Sequence, residues 1–141
     1  MPATITLAVT DGVLKGERFV FERPGRYVLG RAECCNPRLP NDLLHRNVSR
    51  FHCLIDVCPP HIWVRDMGSR NGTFVNGKII GQRENGLSAE ETAKEHFPEF
   101  HLRKGDELRV GDTIFRVDVG VRPAAAEDQT EALDDEAVLV G

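Results

Sequence analysis

The stretch Ser69-Arg70-Asn71-Gly72-Thr73-Phe74-Val75-Asn76-Gly77 places Asn-Gly twice within seven residues, with only Thr-Phe-Val between the two pairs. Asn76-Gly77 lies between the strand-forming runs TFV and KII. That context predicts a two-residue hairpin, because Asn and Gly tolerate the positive φ angles such a turn demands. A second hairpin so close would leave no strand to pair. Asn71-Gly72 is therefore expected to end an irregular loop, with Gly72 bending the chain into the strand and Asn71 pointing outward. One pair is punctuation; the other presents a side chain.

Working outward, short β-like runs recur with turn residues between them: TITLAV, ERFVF, RYVLG, FHCLIDV, HIWVRD, TFVNGKII, DELRV and TIFRVDV. Their spacing suits a sandwich or barrel. Gly12, Pro24-Gly25, Pro59-Pro60, Gly77, Gly105 and Gly111 fall where turn chemistry puts them. In FHCLIDV, the period of two puts Phe51, Cys53, Ile55 and Val57 on one face. His52, Leu54 and Asp56 fall on the other, mostly polar face. Pro59-Pro60 then turns the chain into IWVRD.

One segment breaks this rhythm. In LSAEETAKEHFP, Ser88 precedes Glu91 by three residues, a capping-box pattern, and Pro98 ends the helix formers. A short helix over about 89–96 is expected inside an insertion over about 82–104. It reads as a surface excursion without direct function.

The chain has 141 residues, 40% of them apolar and 28% charged, which suits one domain with a core. No apolar run is long enough to span a bilayer and no signal pattern opens the chain, so a cytoplasmic protein away from membranes is expected. Cys34, Cys35, Cys53 and Cys58 form no C-x-x-C pair. Free thiols are expected rather than zinc, with a Cys53–Cys58 disulfide as the lesser reading. Of the net charge of −4, residues 123–141 hold six acids and no Lys or Arg. The body, 18 basic residues against 16 acidic, is weakly positive. An acidic, aromatic-free tail after a domain of residues 1–122 is expected to be disordered. So small an excess of positive charge argues against nucleic-acid binding.

Four polar clusters fall in predicted loops: Gly30-Arg31, NVSRFH at 47–52, GSRNGT at 68–73, and Asn76-Gly77. They offer Arg31, Ser49, Arg50, Arg70 and Asn71, all hydrogen-bond donors, with few carboxylates nearby. Such a set suits a phosphate dianion. The planar guanidinium can give two parallel hydrogen bonds where an ammonium cannot.

The ordered set Gly-Arg, Ser-Arg-Phe-His and Ser-Arg-Asn-Gly-Thr-Phe-Val-Asn-Gly resembles the forkhead-associated (FHA) domain, a family that binds phosphothreonine peptides. The likeness covers roughly residues 4–119, and DELRVGDTIFRV resembles the family's last two strands joined across Gly111. The implied fold is an all-β, FHA-like β-sandwich of about eleven strands, here with a short helical insertion. By the same resemblance Arg31 grips the phosphate and the Ser49 hydroxyl also binds it. Arg50 lies near it, and Asn71 hydrogen-bonds the peptide backbone beside the phosphothreonine. Arg70 stands where some members place a threonine that contacts phosphate. His52 buttresses the loops, and Gly30, Gly72, Asn76 and Gly77 support the site structurally.

The function so implied is a non-catalytic phosphothreonine-peptide recognition module that recruits partners phosphorylated by a Ser/Thr kinase. The competing reading is a structural, protein-interaction β-sandwich whose phosphate site is unused. The Ser49/His52 spacing suggests a hydrolase only superficially, since there is no G-x-S-x-G elbow. His45, His61, His96 and His101 show no metal spacing, Trp63 reads as core or sheet surface, and neither cofactor nor metal is expected. The expected state is a monomer. Thr130, in EDQTEALDD, is a candidate for phosphorylation and self-binding.

Overall fold

The computed structural model describes residues 3–92 and 97–121. Among these residues, ten strands form two antiparallel sheets. They are β1 (Ala3–Asp11), β2 (Arg18–Phe21), β3 (Gly25–Leu29), β4 (Cys53–Cys58), β5 (His61–Asp66), β6 (Thr73–Val75), β7 (Lys78–Gly81), β8 (Glu99–Leu102), β9 (Glu107–Val110) and β10 (Thr113–Val121). One sheet has the order β2-β1-β10-β9-β6-β7 and the other β3-β4-β5-β8. The expected sandwich is thus present, and each of the eight sequence runs contributes to it.

The alternation of apolar residues builds the core between the sheets. Ile5, Leu7 and Val9 of β1 and Phe115 and Val117 of β10 face Cys53, Ile55 and Val57 of β4 and Ile62 and Val64 of β5, all buried. Burying each such side chain contributes about 1.5–3 kcal/mol before chain entropy is counted. The Cys53 thiol is part of this core, and burial pushes its pKa up. Cys53 and Cys58 both lie on β4, one buried and one exposed, and both are free thiols. An odd separation along a strand sends the two side chains to opposite faces, so the disulfide reading is set aside.

Three features differ from the sequence reading. β8 falls inside the segment expected as insertion and pairs with β5, Ile62 opposite Leu102. It is an edge strand with only Leu102 buried, so its four residues show no alternation to read. His52 was expected on a polar face, yet it is fully buried, because β4 begins only at Cys53 and the pleat does not extend back to His52. Phe51 was expected on the core face and is instead 45% exposed.

The helix α1 spans Ala89–Thr92, and positions 93–96 of the expected helix lie outside the described residues. Its capping box is formed. Glu91 N–H donates to Ser88 Oγ at 3.1 Å and Ser88 N–H donates to Glu91 Oε1 at 2.9 Å, which lowers the Glu91 pKa. The acidic tail and Thr130 also lie outside the described residues.

The long β3–β4 connection is anchored by its own apolar residues. Leu39 and Val48 are buried in the core, flanking a single 3-10 turn at Leu43–His45 that Asp42 caps. Burial of Val48 fixes the height at which its neighbour Ser49 emerges.

Candidate functional site

The β3–β4 loop (30–52), the β5–β6 loop (67–72) and the start of the β7–β8 connection converge at one end of the sandwich. Backbone hydrogen bonds lace the first loop to itself: Arg31 N–H donates to Ser49 O and Ala32 N–H to Arg50 O, while His52 N–H donates to Leu29 O. This lacing needs Gly30. A Cβ there would stand 2.1 Å from Arg50 O, well inside contact distance.

His52 joins the first loop to the second. Ser49 N–H donates to His52 Nδ1 at 3.0 Å, which leaves Nε2 to carry the proton and donate to Gly72 O at 2.8 Å. Burial lowers the His52 pKa, and the ring is held neutral. Gly72 receives this bond at φ +93°, and a Cβ on it would meet Ile79 Cδ1 at 2.8 Å.

The second loop is wound around Asp66 at the end of β5. This buried carboxylate accepts from Gly68 N–H at 2.8 Å and Ser69 N–H at 3.0 Å, and from the hydroxyls of Ser69 and Thr73, both at 2.6 Å. Ser69 Oγ in turn accepts from Gly72 N–H at 3.0 Å. These four hydrogen bonds offset the cost of burying the carboxylate, which would be large were it unpaired.

On this frame the predicted site residues come together. Ser49 Oγ accepts from Arg70 N–H at 3.0 Å, so its own O–H is left to donate outward. Asn71 Nδ2 donates to Asn47 O at 3.1 Å and bridges the two loops. The Arg31 guanidinium donates through Nε to Val48 O and through Nη1 to Asn41 Oδ1 at 2.5 Å. These bonds orient it while its other hydrogens remain for the cleft it lines. Arg31, Ser49, Arg50, Arg70 and Asn71 share one cleft of about 500 Å³ with Arg46, Val48, Phe51, Met67 and Arg83. Among the described residues no carboxylate lines it. An open, donor-rich cleft of this kind suits an oxyanion with several acceptor oxygens.

Asn76 and Gly77 are not in that cleft. They turn at the other end of β6, with φ +51° and +83°. Asn76 also braces that end: its Nδ2 donates to Asp106 Oδ1 at 3.1 Å and its Oδ1 accepts from Glu107 N–H at 2.9 Å.

Sequence reasoning missed Arg46, Arg83 and Asp66. Arg46 adjoins the NVSRFH cluster, and the density of basic residues over 46–50 could have signalled it. Asp66 reads as an ordinary strand end. Arg83 sits in the segment read as a surface excursion, and only the fold brings it to the cleft. That segment is tied to the second loop. Arg83 N–H donates to Ser69 O at 2.7 Å, its Nε to Gly68 O at 3.2 Å, and Gln82 Nε2 to Arg70 O at 2.9 Å.

The FHA domain family model matches residues 27–114, well over half of the chain and the whole of this cleft. The chain belongs to the FHA domain family. No curated protein matches it in sequence. Among solved structures, an FHA domain described in work on phosphothreonine-dependent FHA interactions is 26% identical. The match covers 85% of this chain and 98% of that one with a TM-score of 0.60. The FhaA FHA domain, solved in complex with the intracellular domain of Rv3910, is 26% identical over 80% of this chain and 98% of that one, TM-score 0.59. The FHA domain of an Arabidopsis thaliana protein shares the fold at 21% identity, with 89% and 92% covered and a TM-score of 0.65. The FHA sandwich here thus carries its polar loops at one end, with the Arg83 segment packed beside them.

Proposed function

We propose that this FHA domain is a non-catalytic reader of phosphothreonine, recruiting proteins modified by a Ser/Thr kinase in the cytoplasm. The observation that carries the reading is the cleft itself. The Ser49 hydroxyl, with its proton left to donate, shares the cleft with five arginines and, among the described residues, with no carboxylate. A phosphate monoester, with about two negative charges and three acceptor oxygens, complements such a set.

In this reading Arg31 grips the phosphate with its fork and Ser49 donates its hydroxyl to a second oxygen. Arg50 and Arg70 add positive charge, and Asn71 turns its amide to the peptide backbone. Phe51 and Met67, both partly exposed at the cleft, offer apolar contact to the ligand. Gly30, His52 and Gly72 hold the loops, and Asn76-Gly77 fixes the far end of β6. The recognition domain is residues 1–122, acting as a monomer, with 123–141 as an acidic appendage.

A few charge-assisted hydrogen bonds, less the cost of association, place affinity near micromolar, about −8 kcal/mol. Calorimetric titration with phosphothreonine, phosphoserine and unphosphorylated peptide pools tests the reading. Binding confined to the phosphothreonine pool is the expected result. No binding to any pool, by the full chain or by residues 1–122, would replace it with a scaffold role.

A further inference from the structure

The cleft carries more positive charge than one phosphate requires. Arg31, Arg46, Arg50, Arg70 and Arg83 line it, and among the described residues no carboxylate does. A phosphothreonine side chain supplies about −2 near neutral pH. Its nearest arginines balance that, and the rest are left gathered in one concave site, where like charges raise each other's energy until an anion joins them.

Arg83 is the most informative of these. It comes from beyond β7, outside the loops that carry Arg31, Ser49 and Asn71. The hydrogen bonds to Ser69 O and Gly68 O pin it beside the second loop and leave it half-buried. The segment behind it is packed closely. A Cβ on Gly68 would stand 2.4 Å from Thr92 Cγ2, and one on Gly81 would stand 3.0 Å from Phe97 Cδ1. Thr92 is buried at this contact, and its hydroxyl donates to Ser88 O at 2.8 Å. The insertion is therefore seated on the site. Among the described residues, Nη1 and Nη2 of Arg83 make no hydrogen bond and no ion pair, and the exposed side chain of Arg46 makes none either. Both guanidinium groups are available to a ligand.

We infer that Arg83, together with Arg46, is a specificity-determining residue that reads carboxylates flanking the phosphothreonine, so that the ligand class is an acidic phosphopeptide. This rests on the phosphothreonine reading above. The pinned Nε and open Nη pair of Arg83 can present a fork to an Asp or Glu of the peptide. The insertion then works as the part of the molecule that adds selectivity to a phosphate grip made elsewhere.

The test uses three phosphothreonine peptides of one length, with the positions around the phosphothreonine filled by Glu, Gln or Lys. They are titrated into the full chain, wild type and Arg83→Gln, at fixed salt. In wild type the Glu peptide binds more tightly than the Gln peptide by about fivefold or more, the order expected for charge-assisted contacts, and the Lys peptide binds most weakly. The preference shrinks as salt rises. Arg83→Gln lowers the ratio of Glu to Gln affinities by roughly threefold or more. Should Arg83→Gln shift the melting temperature, Arg46→Gln, on an exposed side chain, carries the comparison and lowers the ratio in the same direction. A wild-type ratio near one, or a ratio that neither substitution changes, overturns the inference while binding of the Gln peptide keeps the phosphothreonine reading. Failure of all three peptides to bind wild type overturns both.

Discussion

The backbone N–H of Ser49 donates to Nδ1 of His52 at 3.0 Å, so the residue proposed to meet phosphate is set in place by a histidine buried beneath it. Through Nε2 the same ring holds Gly72 O at 2.8 Å and thereby links the two loops of the cleft. His52→Ala removes both bonds and leaves a cavity. Unfolding free energy should fall by about 2–4 kcal/mol, with weakened phosphopeptide binding. Denaturant unfolding alongside titration checks this, and an unchanged unfolding midpoint would refute the bracing role.

The same ring makes stability depend on pH. Burial lowers its pKa in the folded chain, whereas the unfolded histidine titrates near its ordinary value of about 6.5. Below that pH the unfolded state binds the extra proton. The His52 contribution is therefore complete above about pH 6.5 and is lost as pH falls toward the folded value, with a slope of at most about 1.4 kcal/mol per pH unit. Unfolding midpoints measured from pH 8 to pH 5 should fall, and His52→Gln should flatten that part of the profile.

Arg31 is oriented by Val48 O and Asn41 before any ligand arrives. Arg31→Ala should lower phosphothreonine-peptide affinity by about tenfold to a hundredfold, the range for hydrogen bonds to a charged group, with the fold retained. Arg31→Lys keeps the charge and loses the fork, so it should recover only part of the loss. Calorimetry with one fixed phosphopeptide compares the three proteins. Wild-type affinity in the alanine variant would remove Arg31 from the site.

Asp66 accepts four hydrogen bonds inside the second loop. Asp66→Ala leaves those donors unpaired and should destabilise the domain by about 3 kcal/mol or more. Asp66→Asn directs an amide N–H₂ at groups that themselves donate, so it should rescue little. Thermal unfolding checks the order, and a near-neutral Asp66→Asn would contradict the account.

Gly30 lies against Arg50 O with no room for a methyl group. Gly30→Ala must push the first loop away from its lacing bonds, and it should both lower stability by about 1–3 kcal/mol and impair binding. Gly16, at φ +101° but with open space around it, offers a contrast. There the cost of Ala is backbone strain alone, about 1 kcal/mol, with no neighbour for the added methyl group to displace.

The sequence alone determined the class of fold and named five of the residues that line the candidate cleft. Alternation in TITLAV, FHCLIDV and TIFRVDV exposes one face per strand to the core, a local property that any reader of the pleat can recover. Asn76-Gly77 specifies its hairpin through φ preferences intrinsic to two residues, and Ser88 with Glu91 specifies its capping box within one turn. Arg31, Ser49 and Asn71 were legible because their motifs are short and contiguous. Tertiary structure alone decided the rest. His52 is buried because the strand starts one residue after it. Phe51 turns out to the cleft for the same reason, and β8 exists because β5 offers it a free edge. Asp66 acquires its meaning from Gly68, Ser69 and Thr73 folding back over it. Arg83 reaches the cleft because Gly68 and Gly81 lack side chains and let the insertion settle against the loop. Contacts between segments distant along the chain depend on shape and on space left empty, and neither is encoded in the local order of residues.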